Sequence, residues 1–104
     1  MLEKARLDQL AEMEAILNEA NNLMMQIAEI QTRWQTLLPQ IKRLTHYYFE
    51  GDWHEDYQAY ERGEVPADLR CGVLGQDAVF DFVIAQKENA LEAKKLAKKI
   101  LNDI

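Results

Sequence analysis

Cysteine occurs once in the 104 residues, at Cys71. An internal disulfide is therefore excluded, and a reducing compartment is expected. Proline occurs only at Pro39 and Pro66, and the four glycines all lie between Gly51 and Gly75. Most of the chain thus has nothing to break a helix. No apolar run approaches the roughly 20 residues that a bilayer-spanning helix needs. The first residues, MLEKARLDQLAEMEAIL, carry charge every few positions and lack the apolar stretch of a secretory signal. These absences predict a cytoplasmic protein with no membrane association. Positive charge is scarce as well: 12 Lys and Arg stand against 18 Asp and Glu, a net charge of -6. Nucleic-acid binding is disfavoured, because phosphates need Lys and Arg to displace their counterions. Missing too are a phosphate-binding glycine loop, a dinucleotide fingerprint, a CxxC pair and an HExxH helix. No cofactor is predicted.

What is present is helical pattern. Apolar residues make up 48% of the chain, enough for one hydrophobic core. Residues 2–48 carry a seven-residue repeat in three adjacent columns. One holds Leu10, Leu17, Met24 and Leu38, a second Met13, Ala20, Ile27, Trp34, Ile41 and Tyr48, a third Ile16, Leu23, Ile30, Leu37 and Leu44. Three columns make a wide stripe, as on a bundle helix rather than a two-stranded seam. Pro39 interrupts the pattern, since it has no N–H and disfavours helix at Leu38. The columns nevertheless stay in phase across it. One helix kinked at Pro39 is favoured over two helices joined by a loop.

The unusual residues collect between Tyr47 and Leu74. Six of the nine aromatics lie there: Tyr47, Tyr48, Phe49, Trp53, Tyr57 and Tyr60. Gly51 marks the end of the first helix. Asp52, followed three residues later by Glu55, has the form of a capping box opening a short helix over 52–62. Gly63 stands where a C-terminal glycine belongs. Trp53, Tyr57 and Tyr60 fall on one face of that helix. This face either packs on the end of the bundle or presents an aromatic platform to a partner, and Tyr and Trp suit both roles. Residues 63–75 read as an ordered loop, with Val65, Leu69, Val73 and Leu74 available to pin it to the core.

The run YYFEGDWHEDYQAYERG followed by PADLRCGVLGQDAVFD resembles the uncharacterised bacterial family catalogued as domain of unknown function 4298. Tyr47, Tyr48, Trp53, Asp56, Tyr57, Pro66, Asp68, Leu69, Gly72, Val73, Leu74 and Asp77 match its pattern. Gly75 and Gln76 stand where that family usually has Ser-Glu. The resemblance implies a helical architecture of this length and brings no activity with it.

Residues 76–102 read as a closing helix of about 41 Å at 1.5 Å per residue. Asp77 and Asp81 suit its N-terminal end, and Lys94, Lys95, Lys98 and Lys99 its C-terminal end. Val79, Val83, Ala90, Ala93, Ala97, Ile100 and Ile104 form its apolar stripe, widened by Phe80, Ile84 and Leu91. The expectation is one all-α domain over 1–104, a small bundle whose last helix packs antiparallel on the first. The first helix presents more apolar stripe than the last can cover. A bend at Pro39, the middle segment folding back or a second copy of the protein could cover it, so a homodimer through the long helix or a partner-binding face is expected.

Charge singles out the middle segment as the functional candidate. Residues 50–68 hold Glu50, Asp52, Glu55, Asp56, Glu61, Glu64 and Asp68 against Arg62 alone, a net of -6, while the flanks nearly cancel. Acids beside aromatics suit a basic protein partner, because complementary charge speeds encounter and aromatic anchors hold it. Trp53, Glu55, Asp56, Tyr57, Tyr60 and Glu61 are the expected contact residues of a non-enzymatic binding module, such as an inhibitor or immunity-type protein. The competing readings are a small metal-dependent hydrolase built on Asp52, His54, Asp56 and Asp77, and a purely structural dimer. His46 and His54 have no recognised ligand spacing, so no metal site is predicted. Cys71 has His46 and His54 as conceivable bases but no identifiable orienting group for nucleophilic work, and reads as a small buried thiol.

Overall fold

A computed structural model describes residues 1–104. The chain is all-α: α1 spans Lys4–Glu50, α2 Trp53–Glu61 and α3 Ala78–Asn102, with a 3₁₀ turn over Gly72–Leu74 and no strand. This is the expected order of a long, a short aromatic and a long helix. The chain divides into two compact units, Met1–Pro39 and Gln40–Ile104.

The first unit is a single stretch of α1. Ala, Glu, Leu, Met and Gln dominate it, and all favour helix through low side-chain entropy cost. A lone helix has no second layer against which to bury a stripe. Leu10, Ile16, Leu17, Leu23, Ile30 and Leu37 are accordingly each between 49% and 56% exposed. Thr32 Oγ1 donates to Ala28 O at 3.0 Å and Thr36 Oγ1 to Thr32 O at 2.8 Å, so both hydroxyls turn back onto the helix backbone. The helix runs unbroken through Pro39, as one element rather than two joined by a loop.

The second unit contains the last turns of α1, then α2, the 3₁₀ turn and α3. Its buried residues are Ile41, Leu74 and Val79, one each from α1, the 3₁₀ turn and α3. Around them Leu44, Tyr47, Tyr48, Trp53, Tyr57, Val65, Phe82 and Val83 are half-buried. The core is therefore small and sits where the connecting segment meets the helices.

α1 stops at Glu50 because Gly51 follows: the Gly51 N–H donates to Tyr47 O at 3.2 Å, and a Cβ at Gly51 would come within 2.9 Å of Tyr47 Cα. α2 ends in a Schellman arrangement. The Gly63 N–H donates to Tyr60 O and the Glu64 N–H to Ala59 O, each at 3.0 Å, and Gly63 has φ +75°. The start of α2 departs from expectation. Asp52 does occupy the N-cap position, but its side chain makes no capping bond, and its φ -89°, ψ 11° is not the extended conformation that aims a carboxylate at the N-terminal amides. No capping box with Glu55 forms, and Asp52 contributes its backbone carbonyl to the Asp56 N–H at 2.9 Å instead.

Two side chains expected to pin the loop do not. Leu69 is 60% exposed and Val73 lies in the exposed class, leaving Val65 and Leu74 as the apolar anchors. The loop is held by its backbone: Leu69 N–H donates to Pro66 O at 3.1 Å, Leu74 N–H to Cys71 O at 2.9 Å and Gly75 N–H to Gly72 O at 3.0 Å. α3 starts two residues later than residue 76, at Ala78, with Asp77 as the N-cap residue and Asp81 in the first turn.

Candidate functional site

The aromatic cluster is architectural in its centre. Trp53, at the first position of α2, donates its indole N–H to the Val73 carbonyl at 2.8 Å. A buried-side indole needs such an acceptor, and this one ties α2 to the 3₁₀ turn. The Trp53 ring stacks on Tyr57, with centroids 5.2 Å apart and planes 9° from parallel, and meets Tyr48 edge-on at 5.0 Å. Phe49 closes edge-on against Tyr48 at 4.9 Å but is itself exposed. The i, i+4 spacing of Trp53 and Tyr57 on a helix produces the stack.

A second tie lies beside the first. Tyr47 Oη donates a 2.6 Å hydrogen bond to Asp56 Oδ2. Burial, then this bond to Asp56 and the nearby carboxylate charges, push the Tyr47 phenol up from its ordinary value of 10.0 to about 12. One carboxylate is thereby committed to holding α2 against the end of α1. Tyr57 is also shifted upward, first by the charge of Glu61 and then by a hydrogen bond to it.

The six expected contact residues thus divide. Trp53 and Tyr57 are half-buried and locked in the aromatic stack, and Asp56 is engaged by Tyr47. Glu55, Tyr60 and Glu61 lie in the exposed class, with Tyr60 49% exposed. The remaining acids of the segment, Glu50, Asp52, Glu64 and Asp68, are exposed as well. Arg62 meets one of them with opposite charge, its Nη2 2.9 Å from Glu64 Oε2, and His46 Nδ1 lies 3.0 Å from Glu50 Oε2. The Arg62 contact holds the Glu64 carboxyl below its usual range, through the hydrogen bond first and the charge second. The result is a predominantly negative surface on a short helix braced from behind by aromatics.

No group of three or more His, Cys, Asp and Glu side chains comes together in a way that could hold a metal ion. His54 faces Gln58 instead, with Nε2 and Nε2 3.3 Å apart. Cys71 is half-buried, and its thiol points to Leu69 O at 3.4 Å. No helix is long and apolar enough to cross a membrane.

Two of these contacts lay outside what periodicity can express. The Tyr47–Asp56 and Trp53–Val73 bonds join residues nine and twenty positions apart across a turn. A tyrosine at the end of one helix and a carboxylate in the first turn of the next, across a single Gly-Asp step, was the available signal for the first.

No curated protein and no solved structure matches the chain. The family model described as "Domain of unknown function (DUF4298)" matches residues 10–96, across all three helices, and the chain belongs to that family.

Proposed function

We propose that the chain is a non-enzymatic protein-binding module that presents the acidic face of residues 50–68 to a basic partner. The supporting observation is the division of labour in this segment. Trp53, Tyr57 and Asp56 hold α2 in place, while Glu55, Glu61 and Asp68 stand exposed beside the exposed Tyr60, with no Lys or Arg paired to them. A rigid surface of one sign steers an oppositely charged partner and loses little side-chain and backbone freedom on binding. Tyr60, exposed among these acids, is the aromatic residue free to act as an anchor. The partner is a protein with a basic surface, met in the cytoplasm. An inhibitor or immunity-type role is the form of binding that such a small acidic module suits.

The test is recovery of partners on immobilised protein, comparing wild type with Glu55→Lys/Asp68→Lys and with Tyr60→Ser. These positions are exposed, so both variants should keep the wild-type thermal midpoint. The reading requires that the charge reversal abolish a salt-sensitive interaction and that Tyr60→Ser weaken it about tenfold, equivalent to about 1.4 kcal/mol. Identical recovery by all three proteins would refute it.

A further inference from the structure

We propose that α2 is a strap that opens and closes as one piece between Gly51 and Gly63, and that its closed position is the one a basic partner binds. The strap rests on contacts inside the unit Gln40–Ile104, and its link to a partner rests on the binding reading above. Length comes first. α2 has nine residues, and a helix shorter than about 12 residues does not hold in water without tertiary support. Its ends add little. Asp52 makes no side-chain cap, the last turn has no basic residue, and Glu61 stands at the C-terminal end, where the helix dipole disfavours an acid. The three buried residues of this unit, Ile41, Leu74 and Val79, all lie outside α2. What holds the helix is a short set of ties: the Tyr47–Asp56 bond, the Trp53–Val73 bond and the edge-on contact of Trp53 with Tyr48. Asp56 is exposed, so water competes for the first of these. A segment tied this lightly opens at lower free energy than the core it covers.

Charge opposes closure. Asp52, Glu55, Asp56 and Glu61 lie between residues 52 and 61 with no Lys or Arg among them. Asp52 and Asp56 stand one turn apart, a like-charged pair at i, i+4. The helix concentrates these charges, at about 1.5 Å per residue against about 3.3 Å in an extended chain. A cationic surface therefore relieves more repulsion in the closed form than in the open one. It binds the closed form better and shifts the population towards it. The acids that draw a basic partner are thus also the groups through which that partner fastens the strap.

Amide hydrogen exchange of the full chain tests this. The amides of residues 56–61 should exchange together, at least about thirtyfold faster than those of residues 82–86 in α3. Their rate should be nearly independent of dilute urea, because a local opening exposes little surface. Tyr47→Phe should speed it about fivefold, the equivalent of about 1 kcal/mol. Octalysine, added at low salt as a plain cationic probe, should slow it at least about threefold. Exchange of residues 56–61 with the rate and urea dependence of residues 82–86 would mean that α2 opens only when the whole unit unfolds, and overturns the proposal. Exchange that ignores octalysine overturns it as well, since closure would then be unlinked to a cationic partner. These measurements need no native partner, so their failure and the failure of the partner-recovery test above are separate results.

Discussion

Tyr47 and Asp56 are joined by a 2.6 Å hydrogen bond from the phenol to Asp56 Oδ2. It links the last turn of α1 to the first turn of α2, across Gly51 and Asp52. A bond to an ionised acceptor contributes more than a neutral one, and the exposure of Asp56 tempers this, since water can replace the phenol. Tyr47→Phe should therefore destabilise the fold by about 1 kcal/mol, read as a lower urea midpoint with an unchanged slope.

The same phenol makes stability depend on alkaline pH. Its pKa is about 12 when folded and 10.0 in an unperturbed tyrosine. The folded state thus favours the protonated form, so the contribution is complete below pH 10 and declines as pH rises from 10 towards 12. Thermal midpoints recorded across this range should fall for wild type more steeply than for Tyr47→Phe. Parallel curves would show that Tyr47 ionises freely in the folded chain.

Trp53 combines a stacked ring with a 2.8 Å bond to the Val73 carbonyl. Trp53→Phe keeps most of the ring and loses the donor, leaving a carbonyl to water, and should cost about 1 kcal/mol. Trp53→Ala also removes the contacts with Tyr48 and Tyr57 and should cost about 3 kcal/mol. Denaturant unfolding of both variants measures the two contributions separately. Equal losses would mean that the hydrogen bond, and not the ring, holds α2 to the 3₁₀ turn.

The helical class and the order of the helices were legible from residue type and spacing, because both depend on local propensity and period. Gly51 and Gly63 gave the helix ends for the same reason: each acts within one turn of its own position. Capping was less legible. Asp52 has the right identity and spacing for a capping box, but its backbone, fixed by the tight Gly51–Asp52 step, turns the carboxylate away. The pinning of the loop by Leu69 and Val73 also failed, because apolar identity does not reveal which way a loop residue faces. At the candidate surface, composition located the acids and aromatics, but only the contacts separate Trp53 and Tyr57, which brace the helix, from Tyr60 and Glu61, which face solvent.

Gly51 and Gly63 should differ in how they tolerate alanine. At Gly63 there is open space, so the cost is the positive φ of 75° alone, about 1 kcal/mol. At Gly51 a Cβ would lie 2.9 Å from Tyr47 Cα and 3.0 Å from Tyr47 O, both backbone atoms that cannot simply rotate away. Gly51→Ala should cost about 2 kcal/mol and displace Tyr47 from Asp56. In a double-mutant cycle, Gly51→Ala and Tyr47→Phe should therefore be less than additive, whereas Gly63→Ala and Tyr47→Phe should add.

Pro39 stands inside α1, which continues through it, and its ring is exposed. With no N–H at Pro39, the helix forgoes the bond that an ordinary residue would make to the Gln35 carbonyl. Because the ring is exposed, little packing offsets that loss. Pro39→Ala supplies the missing donor, removes the clash with the preceding turn and replaces the poorest helix former with the best. The variant should be more stable by about 1 to 3 kcal/mol, with a raised thermal midpoint and slightly higher helicity by circular dichroism. The opposite outcome, a loss of stability on removing the proline, would mean that Pro39 supports the turns around it rather than only interrupting the helix ladder.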